Sequence, residues 1–198
     1  SNKRILLFAI ENGMITLDEA DANYFLLYGT SKIPGHRHFF YPEIKNFISK
    51  EKSEQIEKEI INFNEINLKN FQDKRLQGEN DSYICSLIRE DSIDEFVSYV
   101  TRTNLKLSSK IKPSIFETNS FLIDKKPTLI EYAAFFGSIQ IFNFLRLNNI
   151  DLEPSLWLYS IHSNNPEMIH LLEQNEVEPK DETYEECLQE SIKSHHNG

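Results

Sequence analysis

Cysteine is nearly absent from this chain of 198 residues: only Cys85 and Cys187 occur, far apart in sequence. Two isolated thiols make no disulfide framework, and they read as reduced and buried in a cytosolic setting. Glycine is scarce, at 6, and its copies are dispersed, so no glycine-rich loop is available to cradle a phosphate. Long apolar runs are missing too. The most apolar stretches, 5–10 and 135–147, are short or broken by polar residues, whereas a bilayer-spanning helix needs roughly 20 apolar residues. Lys3-Arg4-Ile5-Leu6-Leu7 opens like a signal peptide, but Glu11-Asn12-Gly13 follows without a small-residue cleavage site. Positive charge is in deficit, with 21 Lys and Arg against 31 Asp and Glu and a formal net charge of −10. A nucleic-acid binder needs a basic stripe to displace counterions from phosphates. Neither nucleic acid nor an anionic membrane is therefore expected as a partner. Between Glu167 and Glu190 there are nine carboxylates and one lysine, which favours a partner with a basic surface.

What is present is helical. Hydrophobic residues make up 39% and charged residues 26%, enough for a packed core. Ile56, Ile60, Ile61, Phe63 and Ile66 recur mostly at spacings of three and four, and alternating strand patterns are nearly absent. Thr16-Leu17-Asp18-Glu19, Thr128-Leu129-Ile130-Glu131 and Thr183-Tyr184-Glu185-Glu186 have the form of a capping box. In each, a hydroxyl can accept an early N–H while a glutamate reaches back to the cap. Asn165-Pro166 joins an N-cap to a proline at the first helical position. The N-terminal part reads as helices near 4–11, 17–28 and 42–48, a loop over 29–41, and a charged amphipathic helix over 53–71. A linker at 77–81 sets the expected division: an N-terminal helical region over 3–78 and a second region over 79–198.

Three segments beginning at Ser82, Thr128 and Ser155 align with one another. Each has a hydroxyl at its start, an apolar residue two later (Ile84, Ile130, Trp157), and a break at Asp91, Gly137 or Asn164 before a second amphipathic stretch. The pattern is helix, tight turn, helix. The second segment resembles the ankyrin repeat, with Thr128, Ile130, Ala133, Ala134, Gly137, Ile141, Leu145 and Asn149 in matching places, and Leu129 and Glu131 replacing the Pro and His of the signature. The third departs further, with Ser160-Ile161 for the alanine pair. The steps between copies, 46 and then 27 residues, differ from the usual repeat of about 33. The chain as a whole resembles the divergent ankyrin-containing proteins that are expanded in some protists and carry a domain of unknown function. The implied fold is all-α: an N-terminal helical region followed by a short ankyrin-like helical-hairpin solenoid. Small residues at Ala133 and Ala134 would let neighbouring pairs approach closely, and Trp157, Leu171 and Leu172 are expected in the core.

The resemblance implies a protein–protein interaction module, a scaffold or adaptor in the cytoplasm or nucleus, with no cofactor, no metal and no catalysis. In ankyrin arrays the variable positions of the first helix line the concave surface. Tyr132, Phe135, Phe136, Tyr159 and His162 fall at or near those positions and are the implied partner-binding residues. The other reading of these aromatics is internal packing against the N-terminal helices. His36-Arg37-His38 and His195-His196 lack further ligands at metal spacing and read as loop or solvated histidines. The acidic pairs read as solvated helix faces. Two further functions are open: a self-assembling helical scaffold, and an enzyme without a familiar motif. A fourth, incomplete copy aligns from Thr183 at an offset of 31, matching Trp157 with Leu188, Ser160 with Ser191 and Ile161 with Ile192. It implies that the protein continues into further repeats. Tyr184, Leu188 and Ile192 would face the preceding copy, Cys187 would lie on the open flank, and this helix would support weak self-association.

Overall fold

The structure is a computed structural model, and it describes residues 3–28, 35–64, 70–181 and 183–194, with the side chains of 28 and 62–64 left aside. The described residues form fourteen α-helices and no strand. In chain order these are α1 (Lys3–Glu11), α2 (Glu19–Tyr28), α3 (His36–Phe39), α4 (Tyr41–Ile44), α5 (Lys50–Asn64), α6 (Phe71–Gln77) and α7 (Tyr83–Arg89). They continue with α8 (Ile93–Thr103), α9 (Ser120–Lys125), α10 (Leu129–Phe136), α11 (Ile139–Leu147), α12 (Leu156–Ser163), α13 (Pro166–Gln174) and α14 (Glu185–Lys193). None of the described helices is long and apolar enough to cross a membrane.

The chain divides into two compact units. One comprises residues up to Asp81 together with Pro113–Lys125; the other comprises Ser82–Lys112 and residues from Lys126 onward. The sequence reading assigned 113–125 to the second region, yet its apolar residues complete the first unit's core.

In the first unit, Phe25, Phe39, Phe40 and Ile44 form one cluster with Leu7 and Ala22. Tyr41, Ile56, Ile60 and Phe71 form another, closed by Ile115 and Phe116. The helix near 17–28 starts two residues late. Asp18 and Asp21 cap each other, with the Asp21 N–H donating to Asp18 at 2.9 Å, where Thr16 and Glu19 were expected to do so. The helix expected at 42–48 is a short α-turn followed by a 3₁₀ turn over Lys45–Phe47. The long helix starts at Lys50, and Phe71 opens a separate helix instead of ending this one. The loop expected over 29–41 holds a helical turn at 36–39, while 29–34 lie outside the described residues. Nor is 77–81 a slack linker. Gly78 ends α6 in the left-handed region at φ 69°, and its carbonyl accepts both the N–H and the hydroxyl of Thr118. A Cβ at Gly78 would stand 2.8 Å from that hydroxyl, so the close approach requires glycine.

The second unit repeats one local design. α7/α8, α10/α11 and α12/α13 are helix pairs, and the turn inside each passes through the left-handed region, at Asp91 (φ 49°), Gly137 (70°) and Asn164 (49°). The second helices also end alike. Asn104 (51°), Asn149 (61°) and Glu176 (55°) are left-handed, and each following N–H reaches back to a carbonyl five residues earlier, at Val100, Leu145 and Leu172. Such closures satisfy carbonyls that a helix end leaves unbonded. α10 packs against α7 on one side and α12 on the other, and α12 packs against α14, so four helices stand in one row. Ala133 and Ala134 are fully buried at this row, as are Ile141, Leu145, Met168 and Leu172 on the second helices. Trp157 and Leu172 are core as expected, whereas Leu171 is half-buried.

Side-chain caps tie successive pairs together. The Asp91 carboxylate accepts the N–H groups of Gln140 and Ile141 at 2.9 and 3.0 Å, capping α11 from the previous pair. The Ser138 hydroxyl donates to the Ile88 carbonyl at 2.5 Å. Asn165 caps α13 and donates its amide to the Gly137 carbonyl. The Thr128 capping box forms as read. The Thr183 box does not, because Asp181 takes the N–H of Glu186 instead.

Candidate functional site

Of the five residues implied as a binding surface, Tyr132, Phe135, Phe136 and His162 are in contact with one another, but mostly inside the second unit. Tyr132 is 1% exposed, Phe135 8% and Tyr159 3%; only Phe136 and His162 keep partial access to solvent. The expectation of an exposed aromatic patch is therefore corrected for Tyr132, Phe135 and Tyr159. The row of helices covers them, because side chains this large at these positions fill the gap between neighbours.

Their contacts run along the row. Arg89 on α7 donates to the Tyr132 hydroxyl at 2.9 Å and lies 6.0 Å from the Phe136 ring centre. Phe136 lies against Tyr132 at 4.7 Å and Phe135 at 5.0 Å. Phe135 stacks on His162 at 4.8 Å, and His162 Nε2 meets Glu190 of α14 at 3.1 Å. Four helices thus share one chain of aromatic and polar contacts that ends in a charge at each end. Arg89 and Glu190 were not singled out from sequence; their only prior signal is a position one turn from the helix breaks. Burial raises the Tyr159 hydroxyl well above its ordinary range, and the Glu131 charge adds to this.

On the same unit a cleft of about 240 Å³ has Ile130 and Leu156 in its walls and Glu131, Asp151 and Glu153 around it. Glu131 is committed: one oxygen accepts from Thr128 and the other from Ser155. Asp151 and Glu153 are exposed.

The first unit holds buried charge that the sequence did not reveal. Lys3 is almost fully buried and donates to the carbonyls of Ile115 and Glu117 at 2.9 and 3.0 Å. Burial lowers its ammonium to about 8, with partial compensation from Glu117. Arg75, also buried, pairs with Glu43 at 2.8 Å, and both Arg75 and Lys3 lie over the Phe39 ring. His36 and His38 are buried, not solvated as read: the short helix α3 turns both inward, His36 beside Phe25 and Phe40. His38 Nε2 meets Glu59 at 2.9 Å, and Arg37 donates to the same oxygen. Burial lowers the His38 pKa more than Glu59 raises it. For Glu59 burial acts upward, but hydrogen bonds from His38 and Gln55 and the Arg37 charge outweigh it and hold the carboxyl low. Among the described residues, no group of three or more His, Cys, Asp and Glu side chains is arranged to hold a metal. His195 and His196 lie outside the described residues.

At the far end of the row, α14 is oriented differently from the sequence reading. Cys187 is buried, while Leu188 and Ile192 are 61% and 55% exposed. Of the three apolar residues expected to face the preceding pair, Tyr184 does so, edge-on to Trp157 at 5.1 Å. The cause lies in the helical wheel: Cys187 and Glu190 share the side that α12 covers, which turns Leu188 and Ile192 away.

No family model matches the chain, and neither a curated protein nor a solved structure matches it.

Proposed function

We propose that the second unit is a divergent ankyrin-type stack of helical hairpins and that the chain works as a protein–protein interaction module. The observation that carries this is the row formed by α7, α10, α12 and α14, whose helix pairs share left-handed turns at equivalent positions. A stack of this kind buries apolar stripes that one pair alone cannot cover.

The irregular first step supports the same reading. Thirteen of the residues between Ser82 and Thr128, namely Pro113–Lys125, belong to the other unit. Without them the step falls from 46 to 33 residues, the ordinary ankyrin period of about 33. The excursion leaves and returns through a short antiparallel pairing. The Ile111 N–H donates to the Pro127 carbonyl and the Leu129 N–H to that of Ser109, around a bridge between Lys110 and Thr128. That is where an ordinary repeat carries its β-hairpin finger.

With the central aromatics buried, the binding surface is built from what the row leaves outside: the partly exposed Phe136, an edge of His162, the rim carboxylates Asp151 and Glu153, and the acidic C-terminal stretch. A basic protein surface is the partner this favours. The test is reversible cross-linking of the full chain in an extract of its source cells, with mass spectrometry of the linked peptides. A stoichiometric partner whose links fall on Ser82–Lys112 and Lys126–Ser194 is expected. Links confined to the first unit, or no stoichiometric partner, would refute the reading.

A further inference from the structure

α14 is the last described helix of the row, and its outer side carries two exposed apolar residues. Leu188 and Ile192 stand one turn apart on that face, both more than half exposed. In the alignment of copies Leu188 takes the place of Trp157. Trp157 is covered by residues downstream of it in the chain: its indole N–H donates to the Val177 carbonyl at 2.7 Å, and Tyr184 closes over its ring. The same position on α14 has no such cover among the described residues. Each earlier helix of the row receives the apolar side of another helix, so the shape this face accepts is an amphipathic helix.

Charge selects the kind of helix. Glu185 and Glu186 are exposed on the first turn of α14, and the Asp181 carboxylate stands beside them, accepting the Glu186 N–H at 2.8 Å. The only described cation on α14 is Lys193, which pairs with Glu190 at 3.6 Å. A second copy of this chain would bring a formal charge of −10 and another set of these carboxylates to the same place. We propose that the outer face of α14 docks a basic amphipathic helix of another protein, with Leu188 and Ile192 as its apolar floor and Glu185 and Glu186 as its charged rim. This deepens the interaction reading and rests on it.

The probe is a synthetic 18-residue amphipathic peptide of leucine and lysine, titrated into the full chain by calorimetry and by amide chemical shifts. Two controls accompany it: the same leucines with glutamate for lysine, and the same composition scrambled so that no apolar face forms. The leucine–lysine peptide should shift the amides of 185–193 and bind at least about tenfold more tightly than either control. Leu188→Ser with Ile192→Ser should weaken it at least about tenfold, and Glu185→Gln with Glu186→Gln should flatten its salt dependence. Leu188→Lys preserves helix propensity and repels a basic helix, so it replaces the double serine variant if that variant melts early. Equal binding of the scrambled peptide, or binding indifferent to these substitutions, would overturn the proposal. So would a concentration-dependent dimer abolished by Leu188→Lys, which would make a second copy the occupant. A cellular partner whose capture by the full chain ignores Leu188→Lys would sink the α14 site alone and leave the broader interaction reading standing.

Discussion

Single side chains do two different jobs in this chain, and pH separates them. Lys3 is held in the first unit with its pKa lowered to about 8 from an ordinary 10.5. The unfolded chain therefore holds more protons than the folded one between these values, so stability rises with pH across that window. The gain is on the order of 3 kcal/mol at the top of the window. Tyr41 and Tyr159 act the other way. Their hydroxyls are raised above 10, chiefly by burial, so from about pH 10 upward the unfolded chain releases protons first and stability falls. Urea midpoints should climb from about pH 7.5 to about pH 9.5 in the wild type, and that climb should be largely lost in Lys3→Met. A flat profile in the wild type would show that Lys3 is not buried as a charge. Asp91 is the second case. It accepts two N–H groups at the start of α11 while sitting at φ 49°. Asp91→Ala loses the cap and strains the turn, and should cost about 1–2 kcal/mol in urea unfolding. Asp91→Asn keeps an acceptor and tolerates that φ, and should cost less than half as much.

At the scale of elements, sequence pattern was a good guide to the break residues and to two of the four expected caps, while nearby aspartates displaced the Thr16 and Thr183 boxes. Thr128–Glu131 forms its box, Asn165–Pro166 starts α13, and Asp91, Gly137 and Asn164 all turn left-handed where the copies break. The pattern failed where the decisive partner is distant. α14 was read from its apolar residues alone, and only α12 determines that Cys187 goes inside and Leu188 outside. Tyr132, Phe135, Phe136 and His162 do touch one another, but their exposure was not legible, because it depends on how closely α10 and α12 approach. That approach is set by Ala133 and Ala134, both fully buried. Ala134→Leu should overpack the row by about 1–3 kcal/mol, and a thermal melt unchanged by it would contradict the close approach. Phe135→Ala should cost roughly 3 kcal/mol or more by leaving a cavity beside His162. Calorimetric and circular-dichroism melts of this variant check it; an unmoved midpoint would mean that Phe135 is a surface residue after all.

At the scale of the whole molecule, composition suggested one division, at 77–81, and gave no sign that the chain passes between the units again after Lys112 and after Lys125. Nothing in the pattern of 113–125 marks Ile115 and Phe116 as the closing side chains of a core built from residues before Asp81. Periodicity finds the face a helix buries and says little about which unit an extended stretch joins. A polypeptide ending at residue 81 would lack these two side chains and the carbonyls that receive Lys3. It should show weak helicity and no cooperative melt, and a synthetic peptide of residues 113–125 added to it should restore both. A cooperative melt without the peptide would show that the first unit is self-sufficient.

The Lys3 clasp also carries a consequence for the order of events during synthesis. Its two acceptors lie 112 and 114 residues downstream, so the first unit has to wait for them to be made. At a ribosomal pace of about 5–20 residues per second, that is a delay of several seconds or more. Over the same interval α7 and α8, joined by a tight turn, have all they need to pair locally. The segment synthesised first should thus reach its native core after a pair synthesised later, and it spends the interval with Tyr41, Ile56, Ile60 and Phe71 short of Ile115 and Phe116. On arrested nascent chains, protease resistance of residues 3–81 should appear only once residue 125 has cleared the exit tunnel.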